Sequence, residues 1–192
     1  MKTNLKSMTN QQLWQLFPVV VEEYNAVWPR CFEEEEERIR ALIGKNILRI
    51  SHIGSTSVPG LCAKNIIDIL IEIGEESHTQ KLADAMEQAG YIYLPQPENP
   101  PPHMVFLKGY TENGYEGQPC HLHVRFAGDW DELYFRDYLR EHSDAAREYA
   151  ALKKSLQEIY RHDRDGYTAA KTDFIREAAA QGRRLYAGKY IW

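Results

Sequence analysis

The chain has little that would direct it into a membrane or onto a nucleic acid. Its 192 residues include three cysteines, an odd number at wide spacings, which is not the pattern of a disulfide framework or a cysteine-rich metal site. No apolar run approaches the roughly 18 residues that a membrane helix needs, and the opening residues, MKTNLKS, lack the apolar segment of a secretion signal. The net charge of −5 argues against general binding to a nucleic-acid backbone. We therefore expect a cytoplasmic protein without a membrane partner, whose ligand could be a small anion held by a local basic cluster.

The amino-acid composition is that of an ordinary globular protein, with 43% hydrophobic and 27% charged residues. The sequence shows no repeat or linker, so residues 1–192 are expected to form one domain. Strands are predicted at 47–53, 66–73, 104–107 and 119–126, the last two as a hairpin. Helices are predicted at about 29–43, from an N-cap at Asp129 and after Ser143, with a turn at Asp165-Gly166. This order predicts an α/β (α+β) fold in which helices flank a mixed β-sheet.

A glycine- and hydroxyl-rich loop, Gly54-Ser55-Thr56-Ser57, separates the first two predicted strands. Glycine at a strand end lets the backbone approach a ligand closely, and successive hydroxyl and N–H groups can cradle phosphate oxygens. Lys64 follows with a point charge that suits a phosphate. The pattern predicts a phosphate-binding loop, and a Ser/Thr-rich turn without a ligand is the alternative.

Asp68 interrupts an otherwise apolar strand, where a carboxylate is costly to bury unless it is paired or binds a metal. A loop followed by a carboxylate on a second strand is the layout of nucleotidyltransferases, in which paired carboxylates hold divalent ions. The second carboxylate of such a pair would stand at Leu70. Glu72 lies on the same face of the strand but about 7 Å beyond that position, and is an imperfect replacement.

A second polar strand carries His121-Leu122-His123-Val124-Arg125, and alternation places both histidines and Arg125 on one face. Two imidazoles on one face can bind a metal, relay a proton or bind an anion. The alternative is a pair of hydrogen-bonded histidines on a half-exposed strand. We predict Asp68, His121 and His123 as catalytic residues, and Asp68, Glu72 and His123 as ligands of Mg²⁺ or Mn²⁺.

A third basic group, Arg136 and Arg140, shares one helix face and could clamp a phosphate, and Tyr149 and Lys153 on the next helix could extend this surface. Surface salt bridges with neighbouring acids are the alternative. The predicted residues for binding phosphate or nucleotide are Gly54, Ser55, Thr56, Ser57, Lys64, Arg125, Arg136 and Arg140.

Taken together, these motifs resemble the GrpB-like family over about residues 16–160. The matching segments are HIGSTSVPGL at 52–61, Ala63-Lys64, Ile67-Asp68-Ile69, His121-Leu122-His123 and FRDYLR at 135–140. The resemblance implies the nucleotidyltransferase fold, with Gly54, Ser55 and Asp68 matching the superfamily's loop and first carboxylate. Some members resemble partners fused to a dephospho-coenzyme A kinase. Asn65 departs from the family pattern, in which proline is expected.

Three functions follow as hypotheses. The leading one is an enzyme that binds a nucleoside triphosphate and transfers its nucleotidyl group to an acceptor with Mg²⁺ or Mn²⁺. The first alternative, favoured by Leu70, is a non-catalytic module that binds a nucleotide or phosphorylated metabolite. The second alternative is a metal-dependent hydrolase centred on His121, His123 and Asp68.

Overall fold

The protein was analysed as a computed structural model, which describes residues 5–96, 98–99 and 102–191. Five strands lie within these ranges: β1 (Ile47–Ile53), β2 (Ile67–Ile73), β3 (Ile92–Leu94), β4 (Met104–Thr111) and β5 (Gly114–Phe126). The α-helices there are α1 (Asn10–Leu16), α2 (Trp28–Ile43), α3 (Thr79–Gln88), α4 (Asp131–Glu141), α5 (Ser143–Tyr160), α6 (Arg164–Ala169) and α7 (Thr172–Leu185). Among the described helices, none combines the length and apolar character that crossing a bilayer requires.

The strands form one mixed sheet in the order β1-β2-β5-β4-β3. β2 and β5 pair in parallel, and the other neighbouring strands pair antiparallel. The predicted mixed sheet flanked by helices is therefore confirmed. The parallel pair lies at the centre of the sheet, so residues that are about 50 positions apart in the chain become neighbours.

One face of the sheet is packed by α2 and α3. Ile69 and Leu122, both fully buried, share a cluster with Trp28, Ile39 and Met86. Burying a side chain of this size contributes about 1.5–3 kcal/mol. This face explains why every second residue of β2 is isoleucine.

The opposite face carries Asp68, Leu70 and Glu72, in register with His121, His123 and Arg125 of β5. Leu70 is fully buried in a cluster with Leu133 and Tyr134 of α4. The position at which a second carboxylate was sought is thus part of an apolar core, where an unpaired charge would be costly.

Two local predictions are wrong. Asp165-Gly166 lies in α6 rather than a turn, because the carboxylate of Asp163 accepts a hydrogen bond from the Gly166 N–H at 2.8 Å and caps the helix. Asp129 does not cap α4, which begins at Asp131, because its carboxylate is taken by Arg183 and by the Tyr134 hydroxyl.

Candidate functional site

The loop after β1 turns sharply at Gly54, whose φ is +67° and ψ −171°, a combination that is essentially confined to glycine. A Cβ atom there would lie 2.5 Å from Oδ2 of Asp68. The backbone of the loop is therefore pressed against the carboxylate of β2. Ser55–Ser57 follow as a 3-10 turn, in which the Ser57 hydroxyl donates to the Gly54 carbonyl at 2.6 Å.

The hydroxyl of Thr56 is used inside the protein. Thr56 is 1% exposed, and its Oγ1 lies 3.0 Å from Nε2 of His52 and donates to the Ile66 carbonyl at 3.2 Å. Burial lowers the pKa of His52 to about 4, so this imidazole is neutral at pH 7. We conclude that the Thr56 and Ser57 hydroxyls order the loop, and that Ser55 and Thr56 both contribute to the wall of the adjoining cleft.

Asp68, His121 and His123 form what we call the donor cluster. One ligand atom from each residue lies within 4.8 Å of the other two. Oδ1 of Asp68 is 3.4 Å from Nδ1 of His121 and 3.9 Å from Nε2 of His123. The Tyr110 hydroxyl lies 2.6 Å from Nε2 of His121 and fixes the orientation of that ring from the outside. The parallel register of β2 and β5 thus brings together all three predicted catalytic residues.

Within the donor cluster, Asp68 and His121 have the protonation states that metal ligation requires. Burial alone would raise the pKa of Asp68, but hydrogen bonds from His121 and His123 hold it well below its usual range. Burial also lowers the pKa of His121, although Asp68 opposes this shift. At neutral pH the arrangement therefore presents a carboxylate beside a neutral His121 imidazole.

A basic cleft of about 260 Å³ opens between the Gly54 loop and the helices α5 and α6, and Asp68 and His121 form part of its wall. Its basic residues are Lys64, Lys153, Arg164 and Lys171. Such a concentration of basic side chains, beside the carboxylates of Asp68 and Asp165, suits a ligand with several negative charges.

We refer to Lys64, Lys153 and Lys171 as the cleft lysines. Each is fixed by contacts with neighbouring groups. Lys153 is 2% exposed and donates to the Ser55 hydroxyl at 3.0 Å and to the Cys62 carbonyl. Lys64 and Lys171 lie over the ring of Tyr167, at 5.4 and 4.4 Å from its centroid. Burial lowers the pKa of Lys64 and Lys153 to about 7 and that of Lys171 to about 8. A bound anionic ligand would raise the pKa values of these lysines and so favour their charged forms.

Arg164 is positioned by aromatic hydroxyls. Its guanidinium donates to the hydroxyls of Tyr115 at 2.9 Å and Tyr110 at 3.3 Å. Tyr110 also contacts His121, so one tyrosine links the cleft arginine to the donor cluster.

The predicted clamp formed by Arg136 and Arg140 is not brought to the cleft. Arg140 donates twice to the Ser57 carbonyl, at 2.9 and 2.7 Å, and Arg136 donates to the His52 carbonyl at 3.2 Å. Arg136 also pairs with Asp137. Both guanidinium groups therefore support the backbone of β1 and the loop from α4.

Glu72 also lies away from the donor cluster. It is fully buried, pairs with Arg49, and accepts a hydrogen bond from the Gly128 N–H at 3.1 Å. Glu72 is four positions along the strand from Asp68, which corresponds to about 13 Å. The structure does not bring Glu72 and Asp68 together as joint metal ligands.

Arg125 lies at the same end of the sheet as Glu72. Its guanidinium donates to the carbonyls of Val124 at 2.9 Å and Met104 at 3.4 Å, and lies 6.0 Å from the ring of Trp130. Alternation correctly placed it on the face of the histidines, but the length of the strand separates it from the loop.

Sequence reasoning missed Arg164 and Lys171 and treated Lys153 only as an extension of the Arg136 surface. The helical spacing of Tyr149 and Lys153 was a signal for the latter. Arg164 begins α6 and Lys171 follows it, in a segment where only a turn at Asp165-Gly166 was predicted. The approach of both residues to Asp68 depends on the path of the last three helices.

Comparisons with known proteins agree over most of the chain. The family described as GrpB protein matches residues 18–181. UPF0157 protein YqkA of Bacillus subtilis is 36% identical over 169 residues, which are 86% of this chain and 48% of that protein. This chain therefore spans about half the length of that relative.

Two further comparisons concern a solved structure and an enzyme. The crystal structure of conserved protein GrpB from Enterococcus faecalis has a TM-score of 0.76 and 32% identity, and the match covers 87% of this chain and 99% of that chain. A dephospho-CoA kinase of Mycolicibacterium paratuberculosis is 27% identical over 173 residues, covering 79% of this chain and 42% of the kinase.

Proposed function

This chain belongs to the GrpB family, and we propose that it binds a nucleoside triphosphate in the basic cleft and transfers its nucleotidyl group to an acceptor. The observation that carries this proposal is the juxtaposition of the donor cluster, the Gly54 loop and four basic side chains around one cleft. The similarity to a dephospho-CoA kinase, whose name indicates a nucleotide-containing substrate, supports a ligand of this class. The proposal includes membership of the nucleotidyltransferase superfamily.

The donor cluster fits one divalent metal ion. Asp68 offers a carboxylate oxygen, and His121 and His123 offer imidazole nitrogens. Mg²⁺ prefers oxygen ligands, whereas Mn²⁺ and other transition ions accept imidazole, so we favour Mn²⁺ over Mg²⁺. With Leu70 in the apolar core, we assign one ion rather than two. A bound ion would polarise a phosphoryl oxygen and lower the pKa of an attacking hydroxyl.

The side chains of the cleft have separate roles in this proposal. The cleft lysines and Arg164 bind the phosphate oxygens and neutralise the charge that develops on the leaving pyrophosphate. Arg164 needs little reorganisation, because two tyrosine hydroxyls already hold it. The His121 imidazole, neutral at pH 7, either completes the metal site or accepts the proton of the acceptor hydroxyl.

The test is a titration with ATP, GTP, CTP and UTP in the presence of Mn²⁺ or Mg²⁺, followed by an assay for pyrophosphate release. Lys171→Ala should weaken triphosphate binding by about 10-fold, as expected for a lost charged contact. Lys154→Ala is the matched control, since Lys154 lies on the surface and pairs with Glu23. Absence of binding to all four nucleotides at millimolar concentration would refute the proposal.

A second candidate is a metal-dependent phosphohydrolase, in which water replaces the acceptor. The specific observation in its favour is the composition of the donor cluster, because two imidazoles and one carboxylate suit a single transition ion that activates water. Product analysis separates the two. Hydrolysis yields a free nucleotide or phosphate without an added acceptor, whereas transfer leaves the nucleotidyl group on the acceptor.

A further inference from the structure

A second and larger cavity of about 500 Å³ adjoins the basic cleft. His121, Arg164 and Asp165 line both spaces, so the two adjoin each other beside His121 of the donor cluster. Ligand pockets for small molecules commonly measure 300–1,000 Å³ and are mostly apolar with a few polar groups. The larger cavity therefore has room for a part of the ligand that the cleft does not hold.

The wall of this cavity changes from polar to apolar along one row of the sheet. The strand register places Asp68, His121, Leu107 and Ile92 side by side on β2, β5, β4 and β3. Adjacent strands lie about 4.8 Å apart, so Ile92 is about 10 Å from His121. A ligand lying along this row would place a charged end at the donor cluster and an apolar end over β3.

The opposite wall comes from α1, which contributes Leu13 and the half-buried indole of Trp14. This helix is anchored at both ends. Thr9 and Gln12 form a reciprocal capping box at its beginning. Phe17, just after its end, packs on the rings of Tyr110 and Tyr115 with centroid distances of 4.8 and 4.9 Å.

We infer that this cavity binds the base and ribose of the nucleotide whose phosphates occupy the basic cleft, an inference that rests on the proposed function. The Trp14 indole, opposite an aliphatic sheet wall, suits a planar aromatic ring such as a nucleotide base. Stacking stabilises any of the bases, because each has an aromatic face. Asp165 lies where the two spaces meet, and its carboxylate can accept hydrogen bonds from ribose hydroxyls. Asn10 offers both a donor and an acceptor to the edge of a base.

The experiment compares each nucleoside triphosphate with inorganic tripolyphosphate, which has the phosphates but no base or ribose. Dissociation constants are measured by calorimetry on the full chain with Mn²⁺ held constant. At least one nucleoside triphosphate should bind about 5-fold or more tightly than tripolyphosphate, the lower end of what one stacked base contributes. Trp14→Ala should remove most of this difference and change tripolyphosphate affinity less than 2-fold.

Ile92→Ala is a second variant, chosen because it lies on the sheet and cannot detach α1. It should lower nucleotide affinity, by roughly 2- to 5-fold from lost apolar contact, and leave tripolyphosphate binding unchanged. Equal affinity for tripolyphosphate and all four nucleotides would overturn this inference and leave the proposed function standing, as would equal effects of both variants on the two kinds of ligand. Failure of every phosphate ligand to bind would remove the proposed function as well.

Discussion

Replacing Asp68 by asparagine should abolish most of the stabilisation that a bound metal ion gives to this protein. Asp68 supplies the single carboxylate of the donor cluster, and its low pKa keeps it charged at neutral pH. Loss of outer-shell partners alone costs 10- to 100-fold in metal affinity, so loss of a charged ligand should cost at least about 100-fold. The amide keeps the shape of the side chain, and so the change tests charge and ligation.

The magnitude follows from mass action. A metal concentration 100 times the dissociation constant stabilises the native state by about 2.7 kcal/mol. For a chain of this size each kcal/mol raises Tm by about 2–4 °C, which predicts a rise of about 5–11 °C. At the same concentration, a variant with 100-fold weaker binding gains about 0.4 kcal/mol, or about 1–2 °C.

The assay is thermal denaturation with and without Mn²⁺, each variant being compared with its own metal-free protein. Asp165→Asn is the matched control, because Asp165 lines the same cleft but is not part of the donor cluster. This control should keep the full metal-induced rise. An equal rise in Asp68→Asn and the unmodified protein would refute the assignment of Asp68 as a metal ligand.

Three further predictions concern the loop, the sheet and pH. Gly54→Ala should cost more stability in urea denaturation than Gly60→Ala, because both have positive φ but only the first would place a Cβ against Asp68; equal losses would contradict this contact. Arg49→Met should destabilise the protein by about 3–5 kcal/mol, measured from the urea midpoint, because it removes the salt-bridge partner of the buried Glu72; a change below about 1 kcal/mol would contradict the importance of this pair. Affinity for triphosphate should fall between pH 7.5 and 9, because the cleft lysines lose protons as the pH passes their lowered pKa values of about 7 to 8. This range lies above the phosphate pKa of about 6, so the charge of the ligand stays constant. Constant affinity over this range would show that these lysines do not bind the phosphates.

Local patterns were sufficient for most of the fold. Periodicity predicted α2 and the strands β1 and β2 nearly to the residue, and the mixed sheet flanked by helices is confirmed. The family resemblance is confirmed as well. Apolar runs and turn residues act over a few positions, so the sequence carries these signals directly. The catalytic, phosphate-binding and metal-binding roles assigned to individual residues stay predictions.

The candidate site depends on long-range strand pairing as well as on local sequence patterns. Gly54 and Asp68 were identifiable from the sequence, because a glycine followed by three hydroxyl residues at a strand end and a carboxylate in an apolar strand are both local patterns. Their closeness to His121 depends on the parallel pairing of β2 with β5, which is a long-range contact. Chain order alone does not specify which strands become neighbours.

The sequence by itself determined the elements, the faces of the strands and the presence of a charged residue where an apolar one would be expected. Only the tertiary structure decided which basic groups meet that charge. In the folded protein, Arg136 and Arg140 donate hydrogen bonds to backbone carbonyls. Arg164 and Lys171 line the cleft instead. The reason is physical: the position of a long side chain depends on the path of distant helices and on the partners they offer.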